Sequence, residues 1–273
     1  MIDLDARRLA EPGGAGPRLS IEAEPLRTTP RHRLAALYGL VLLFGLTSLI
    51  WSLLAAALFR LLPAKLGQPL GRRVIGAGFR AFIGAAEHCG VLRCETAALD
   101  ALAVAEPLVI VSNHPSLLDA ALVMARVPQV VCAAKAPIWD NLLLGSAARL
   151  AGFVRNDSPT RLVREAIRQC RSGCHVLIFP EGTRSSAWPT GPFKGGFALI
   201  AKHAEAALQP VFIETRSRFL GKGWPLLKRP DYLPLVYRLR LGSPVRVAGD
   251  VHEAVERLQH LFQQELGARE PRS

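Results

Sequence analysis

Between Arg33 and Arg60 the chain runs for 26 residues without a charged side chain. As an α-helix this stretch, residues 34–59, would measure about 39 Å, which exceeds the roughly 30 Å hydrocarbon core of a bilayer. A buried helix in a soluble core is the alternative, but a helix that is apolar on all sides over this length is more typical of a membrane segment. The sequence therefore predicts a membrane-embedded helical element.

The charges beside this segment leave its topology open. Basic residues stand on both flanks: Arg27, Arg31 and Arg33 precede the segment, and Arg60, Lys65, Arg72 and Arg73 follow it. Membrane orientation is read from a difference in Lys and Arg between the two sides, and here both sides are basic. A single span and a helical hairpin that bends near Gly45 and dips into one leaflet both agree with the sequence.

The composition divides the chain into three parts. Residues 1–30 are polar, rich in Pro, Gly and Arg, and without periodicity, so we expect a disordered tail. Residues 31–84 form the membrane-associated helical segment, and a second helix at about 70–90, carrying Arg72, Arg73 and Arg80, is expected to lie at the membrane interface. Residues 85–273 have the pattern of an α/β domain.

Short apolar runs alternate with amphipathic stretches in this domain. The predicted strands are 108–112, 129–135, 175–180, 210–215, 237–241 and 244–249, and the predicted helices are 116–126, 158–172, 196–206 and 252–267. Such alternation predicts an α/β fold, a mixed sheet with flanking helices. Ligand-binding loops in such folds lie beyond the carboxyl ends of the strands.

Charge and cysteine content limit the partners. A formal net charge of +12, from 34 Lys and Arg against 22 Asp and Glu, favours a negatively charged partner such as an anionic membrane surface, a phosphate-bearing substrate or an acidic protein. The basic residues are spread along the chain, and the apolar N-terminal segment does not fit a nucleic-acid-binding protein. Five cysteines without CxxC spacing argue against a disulfide framework and against a metal site, and we expect no cofactor.

The first motif that carries chemistry is Ser112-Asn113-His114-Pro115-Ser116-Leu117-Leu118-Asp119, directly after the strand 108–112. Five helical residues separate two side chains by about 140°, so His114 and Asp119 cannot face each other on one continuous helix. Pro115 suits the entry of a helix, where the chain can fold the pair together. A carboxylate bound to one imidazole nitrogen leaves the other nitrogen to accept a proton, which makes a general base without a serine nucleophile. The alternative is a helix-capping turn with a structural histidine.

The second motif, Phe179-Pro180-Glu181-Gly182-Thr183-Arg184-Ser185, follows the strand 175–180. Arg184 can hold a phosphate through two parallel hydrogen bonds, and Gly182 allows the backbone to approach a ligand closely. A turn stabilised by a Glu–Arg ion pair is the alternative. Two such motifs, both at strand ends, favour a shared site.

Together the two motifs resemble a known family. NHPSLLD and FPEGTRS match the NHxSxxD and FPEGTRS blocks of the glycerolipid acyltransferases typified by 1-acylglycerol-3-phosphate acyltransferase, over roughly residues 85–250. The resemblance implies that His114 deprotonates the acceptor hydroxyl, which attacks an acyl thioester, and that Asp119 orients His114. It further implies that Glu181, Gly182, Thr183 and Arg184 bind the acceptor and its phosphate.

The resemblance also implies the partners and the location. The donor is acyl-CoA or acyl carrier protein, the acceptor is a lysophospholipid such as lysophosphatidate, and the protein acts in membrane lipid synthesis. We expect it at the cell inner membrane, with the α/β domain on the cytoplasmic side.

One block departs from the family pattern. In Gly152-Phe153-Val154-Arg155-Asn156-Asp157 the arginine comes earlier than in the family, and Arg155 or Arg161 is the candidate to bind the acceptor. This departure concerns the acceptor more than the chemistry, so ornithine lipid and aryl-polyene lipid precursors remain open. A membrane-bound thioesterase or lipid hydrolase, with water as the acceptor, is the alternative enzyme. A non-enzymatic membrane scaffold is the alternative that needs neither His114 nor Asp119.

Overall fold

A computed structural model describes residues 24–25, 31–141, 144–187, 189–217, 219–225 and 228–267. The predicted disordered tail, residues 1–30, lies outside the described residues except for β1 (Glu24–Pro25). This two-residue strand pairs antiparallel with β8 (Tyr232–Leu233).

The apolar segment forms one helix, α1 (Arg31–Leu61). The bend considered near Gly45 is wrong, because α1 continues through that residue and a Cβ atom there would meet nothing within 4 Å. The chain turns instead at Pro63, whose extended backbone precedes α2 (Ala64–His88). Proline lacks the N–H that would continue a helix from the preceding turn, so the reversal falls there.

One face of α1 packs on the rest of the protein and the other face is exposed. Leu37 near its start and Ala55 near its end are buried, against the two core clusters that include Leu122 and Leu150. The exposed face is apolar: Leu42, Leu43, Leu46, Ile50, Leu53, Leu54 and Phe59 are each more than half exposed. Among the described residues, α1 is the one helix whose length and composition would let it cross a membrane.

Arg72 of α2 points into the protein, which corrects its predicted place at the membrane interface. Arg72 is 9% exposed and donates to the carbonyl oxygen of Ala151 and to Oε1 of Gln129. Arg80 donates to the carbonyl oxygen of Ala125. Carbonyl groups near helix C-termini lack intrahelical donors and attract cations, which explains why Arg72 turns inward and why the exposed Arg80 reaches Ala125.

The α/β domain is built on one seven-stranded sheet. Its strands are β2 (Leu92–Glu95), β3 (Val109–Ser112), β4 (Val130–Lys135), β5 (Val154–Asn156), β6 (His175–Ile178), β7 (Leu208–Thr215) and β9 (Leu235–Leu241). Their order across the sheet is β2-β9-β7-β3-β6-β4-β5. Neighbours from β7 to β5 are parallel, β9 is antiparallel to β7, and β2 is parallel to β9. The predicted mixed sheet is confirmed.

Helices cover both faces of this sheet. They are α3 (Leu118–Arg126), α4 (Ala136–Trp139), α5 (Gly145–Leu150), α6 (Pro159–Arg171), α7 (Gly196–Ala204) and α8 (Val251–Gly267), with a 3-10 helix at Ala97–Val104. The central strand β3 is buried on both sides: Val109 and Val111 belong to the core under α6, α7 and α8, and Ile110 to the core under α2 and α3. Burial on both faces explains the continuous apolar run in its sequence.

The last predicted strand, residues 244–249, is wrong. Only Val245 pairs there, through a single bridge of two 2.8 Å hydrogen bonds to Leu208. Pro244 has no N–H to offer to a sheet ladder, and Gly249 adopts a positive φ of 92°. Apolar alternation was present in this segment, but its backbone cannot continue the pairing.

Candidate active site

The NHPSLLD motif occupies the loop between β3 and α3, at the carboxyl end of the central strand. Asn113 is buried, and its side chain joins this loop to β7, accepting from N of Ile213 and donating to O of the same residue, both at 2.8 Å. A side-chain amide used in this way replaces a pair of strand hydrogen bonds. The loop is thereby fixed to the sheet before it reaches His114.

His114 and Asp119 contact each other directly, with Nδ1 of His114 2.8 Å from Oδ2 of Asp119. The same carboxylate oxygen accepts from the backbone N–H of Ser116 at 2.7 Å. Asp119 lies in the first turn of α3, and the turn at Ser116 brings His114 back over it. A proton on Nδ1 is then held by the carboxylate, and Nε2 is left to accept a proton.

The two members of this pair differ in their exposure to solvent. The Asp119 side chain is fully buried and the His114 side chain is 15% exposed. Burial raises the pKa of Asp119 above its ordinary value of 3.8, the bonds from His114 and Ser116 oppose that rise, and the charge of Glu181 adds to it. The imidazole can therefore meet a ligand, while the carboxylate acts only through it.

The ring of Phe179 lies flat against the imidazole of His114. The two ring centroids are 3.8 Å apart and the ring planes differ by 14°. Phe179 stands one residue after β6 and opens the FPEGTRS motif. Stacking of this kind limits rotation of the imidazole about its side-chain bonds and so fixes the direction in which Nε2 points.

Backbone and side-chain bonds between His114 and Ser185 join the two motifs. N of Ser185 donates to the carbonyl oxygen of His114 at 2.7 Å, and N of His114 donates to Oγ of Ser185 at 3.3 Å. Oγ of Ser185 in turn donates to Oε1 of Glu181. The predicted proximity of the two motifs therefore has a specific structural basis in this reciprocal contact.

Glu181 has its carboxylate directed into its own loop. It is 7% exposed, and its second oxygen accepts from N of Gly191 at 2.9 Å. Both oxygens are thus used within the loop 179–194, which departs from the expected role of Glu181 in contacting the acceptor. Because a carboxylate and a phosphate repel, a structural role at this position agrees better with an anionic ligand nearby.

The other residues of this motif, Gly182 to Arg184, are partly exposed. Gly182 has a positive φ of 68°, a backbone conformation that favours glycine, and a Cβ atom there would stand 3.0 Å from Nζ of Lys194. Thr183 is partly exposed beside it. Nη1 of Arg184 donates to the carbonyl oxygens of Leu220 and Gly221, at 2.8 and 2.9 Å. The guanidinium therefore holds the loop after β7, and its remaining donors are those available to a ligand.

Arg155 lies apart from the His114–Asp119 pair. It is on β5, three strands from β3 in the sheet, which corresponds to about 14 Å. Its guanidinium contacts Asp157 at 2.6 Å and Asp140 at 4.0 Å. Arg161 lies in the first turn of α6, where its backbone N–H donates to Oγ of Ser158, the N-cap residue of this helix. The structure therefore brings neither arginine to the pair.

Three residues near the site were not singled out from the sequence. Phe179 and Ser185 belong to the matched motif, but their contacts with His114 depend on how the two loops meet. Lys135 is the exposed last residue of β4, at the same sheet edge as the two motif loops. Its position at the end of the predicted strand 129–135 is the sequence signal that could have identified it. Within the described residues, no three His, Cys, Asp or Glu side chains cluster as metal ligands.

Comparison with known proteins identifies the class to which this site belongs. Residues 93–214 match the family model described as Acyltransferase, and they include His114, Asp119 and the FPEGTRS loop. In its site residues and over residues 93–214, the chain therefore resembles an acyltransferase domain.

Within this class the chain resembles the 1-acyl-sn-glycerol-3-phosphate acyltransferases, so the resemblance inferred from the two motifs is confirmed. It is 33% identical over 152 residues to the lyso-ornithine lipid O-acyltransferase of Pseudomonas aeruginosa, which covers 54% of this chain and 57% of that protein. It is 29% identical over 144 residues to human 1-acyl-sn-glycerol-3-phosphate acyltransferase beta, covering 48% and 52%. The chain spans about half the length of the curated relatives it matches.

A solved structure shares the fold over nearly the whole chain. It is the crystal structure of the 1-acyl-sn-glycerophosphate (LPA) acyltransferase PlsC from Thermotoga maritima, with a TM-score of 0.67. The match covers 89% of this chain and 98% of that chain, at 19% sequence identity. The predicted architecture, a helical element followed by an α/β domain, is thereby supported as a fold.

Proposed function

We propose that this protein is an O-acyltransferase that moves a fatty acyl group from an acyl thioester to the hydroxyl of a lysophospholipid such as lysophosphatidate. The observation that carries the proposal is the 2.8 Å contact between Nδ1 of His114 and Oδ2 of Asp119, in a pair whose carboxylate is buried and whose imidazole is accessible. Such a pair is the machinery of a general base.

The reaction uses His114 twice. Nε2 takes the proton of the acceptor hydroxyl as its oxygen attacks the thioester carbonyl, and Asp119 stabilises the imidazolium that forms. The tetrahedral intermediate then expels the thiolate, and the imidazolium gives the proton to the leaving sulfur. The new ester and the free thiol balance the reaction, and His114 returns to its starting state.

Arg184, and not Glu181, is proposed to contact the acceptor phosphate. Glu181 has both oxygens bonded inside its loop, whereas Arg184 has donors beyond the one that holds Leu220 and Gly221. Gly182 and Thr183 line the approach to it. Lys135, exposed at the end of β4, adds a positive charge on the same sheet edge.

A lyso-ornithine lipid is the second candidate acceptor. Arg155, the arginine of the block that departs from the family pattern, pairs with Asp157 and is thus poorly placed to hold a phosphate. A relative that is 33% identical carries the name lyso-ornithine lipid O-acyltransferase. Acyl-CoA and acyl carrier protein both suit the basic chain as donors, since both present phosphate and the carrier protein is acidic.

We further propose that α1 lies within one leaflet of the cytoplasmic side of the inner membrane. Leu37 near its start and Ala55 near its end both pack on the rest of the protein, so the α/β domain accompanies the helix along much of its length. A helix crossing the bilayer would carry one of these ends away from the domain. The exposed leucines of the opposite face then contact lipid, and the acceptor is a lipid of that membrane.

A direct assay tests the function. The full chain in detergent–lipid micelles is given lysophosphatidate or lyso-ornithine lipid with acyl-CoA or acyl carrier protein, and products are measured by mass spectrometry. We expect an O-acylated product with at least one of the four pairs, and formation of that product at least about 10²-fold slower with His114→Ala. Release of free fatty acid without any acylated lipid would instead identify a hydrolase, and no turnover at all would support a scaffold.

A further inference from the structure

Tyr237 lies on the face of the sheet that α3 covers. In the antiparallel pair β7–β9 it stands directly opposite Thr215, so the two side chains are on one face. Its ring belongs to the same core cluster as Leu122 and Val123 of α3 and is fully buried. Asp119 is in the first turn of the same helix and is equally buried. The tyrosine and the carboxylate thus share one closed compartment.

Two polar atoms in this compartment are buried and make no hydrogen bond with the described residues: Oδ1 of Asp119 and the hydroxyl of Tyr237. One is an acceptor and the other carries a proton to donate, so their needs are complementary. Buried groups of this kind are almost always paired in folded proteins, because leaving them unpaired costs stability. The arrangement therefore points to a shared partner.

The surroundings supply further polar groups at the same place. Ser116 and Thr215 are the polar neighbours of the Tyr237 hydroxyl, although neither makes a hydrogen bond of normal geometry with it. Burial, and next the negative charge of Asp119, raise the pKa of Tyr237, so its hydroxyl keeps its proton. A water molecule between these groups would have up to four polar partners, which is what a buried water requires.

We propose that Tyr237 is a positioning residue of the His114–Asp119 pair, with its hydroxyl donating to Oδ1 of Asp119 through one water molecule held with Ser116 and Thr215. The inference rests on the proposed function, in which Asp119 orients His114. Oδ2 is already fixed by His114 and Ser116. Holding Oδ1 as well prevents the carboxylate from turning about its last bond, and favours its charged form.

The pH dependence of this pair involves few other groups. Glu181, from the loop after β6, faces Asp119, and Cys94, from β2, faces Tyr237 with Arg126 of α3 near it. Loss of the tyrosine hydroxyl removes a donor from Asp119, so the pair binds a proton more readily. The active, unprotonated form of the pair should then need a higher pH.

A double-mutant cycle tests the proposal. Tyr237→Phe should lower kcat about tenfold, leave KM within about twofold, and move the acidic midpoint of the kcat/KM profile to higher pH. In an Asp119→Ala background the same change should have no further effect on kcat, because the carboxylate that accepts the hydrogen bond is gone. Equal losses in both backgrounds, or an unchanged kcat and midpoint in a folded Tyr237→Phe protein, would overturn the proposal. Tyr232→Phe, an exposed tyrosine on β8, is the control.

A second variant and a second measurement separate this proposal from the proposed function. Thr215→Val keeps the shape of the side chain and removes another partner of the water, and it should shift the same midpoint in the same direction. Modification of His114 by diethyl pyrocarbonate, followed by mass spectrometry across pH, needs no substrate. If no acceptor is acylated but the modification midpoint moves in Tyr237→Phe, the function fails and the positioning role stands. An unmoved midpoint in both variants would contradict the positioning role.

Discussion

Nδ1 of His114 lies 2.8 Å from Oδ2 of Asp119, five residues further along the chain, and the same oxygen accepts from N of Ser116. The carboxylate is thus fixed by the turn that carries the histidine. Loop and helix position the pair together, and the bonds of Ser185 and the ring of Phe179 then hold the histidine from the second motif. The result is an imidazole with one nitrogen committed and one nitrogen free.

Asp119→Asn should lower activity severely. It should also change stability in a pH-dependent way, with the variant becoming more stable relative to wild type as the pH rises. Turnover should fall by about 10² to 10⁴-fold, because an amide can favour the wrong imidazole tautomer. Burial raises the pKa of Asp119, so the folded protein binds this proton more tightly than the unfolded chain. The contribution of Asp119 to the stability of the wild-type protein is therefore fully present below a pH of about 4, and it is lost as the pH rises through the raised pKa.

Thermal unfolding of the two proteins between pH 4 and pH 8 checks this expectation. Asparagine has no charge to bury, so the melting temperature of Asp119→Asn minus that of wild type should rise with pH. A difference that falls over the same range would mean that the hydrogen bonds to the carboxylate outweigh its burial.

Ser185→Ala should weaken the contact between the two motifs. It removes the hydroxyl that accepts from N of His114 and donates to Glu181, and keeps the backbone bond to O of His114. We expect a loss of about 1–2 kcal/mol in the free energy of unfolding and about a tenfold lower kcat. Ser172→Ala is the matched control, since its hydroxyl bonds O of Gln169 at the end of α6. Equal kcat losses in both variants would show a general effect of destabilisation.

Arg184→Lys should discriminate between acceptors. A lysine ammonium cannot offer the planar set of donors that holds two carbonyl oxygens and a phosphate together. Loss of one charge-assisted contact of about 1.5–3 kcal/mol corresponds to roughly a 10- to 150-fold lower kcat/KM with lysophosphatidate. The loss should be smaller with a phosphate-free lyso-lipid. Similar losses on both acceptors would limit Arg184 to holding Leu220 and Gly221, and Arg155→Ala, already paired with Asp157, should affect neither selectively.

Charged substitutions on the exposed face of α1 should release the protein from membranes. Leu46 and Leu53 are 51% and 61% exposed, and each aspartate placed in a bilayer costs about 2.5–3.5 kcal/mol. Flotation with anionic vesicles should therefore leave the Leu46→Asp, Leu53→Asp protein in the soluble fraction. Val104→Asp, at a 90% exposed valine of the 3-10 helix, should float like wild type. A wild-type protein that is soluble without detergent would contradict the membrane account.

Much of the fold could be predicted because its signals are local. The apolar runs of β3 and β6 and the serine cap of α6 are each visible within a few residues of sequence. The failures have long-range causes. Arg72 turns inward because the distant carbonyl group of Ala151 needs a donor. The helices reverse at Pro63, where the backbone is extended, rather than at Gly45.

The candidate site could likewise be predicted where its signals are local. His114 and Asp119 lie in one short turn, so their spacing in sequence indicated their pairing. Glu181 bonds to Gly191, 10 residues further along the chain, and Tyr237 comes 118 residues after Asp119. Contacts between such distant segments leave no local pattern in the sequence. For the same reason the sequence could not exclude Arg155, whose distance from the pair follows from strand order.

The most direct test of the account is the turnover of purified His114→Ala in the presence of an acyl thioester and a lyso-lipid acceptor. With the fold intact by circular dichroism and thermal unfolding, we expect kcat to fall by about 10² to 10⁴-fold, the range for loss of a general base. The acceptor KM should change little, because His114 contacts only the reacting hydroxyl. A folded His114→Ala protein that transfers acyl groups at a near wild-type rate would contradict the mechanism.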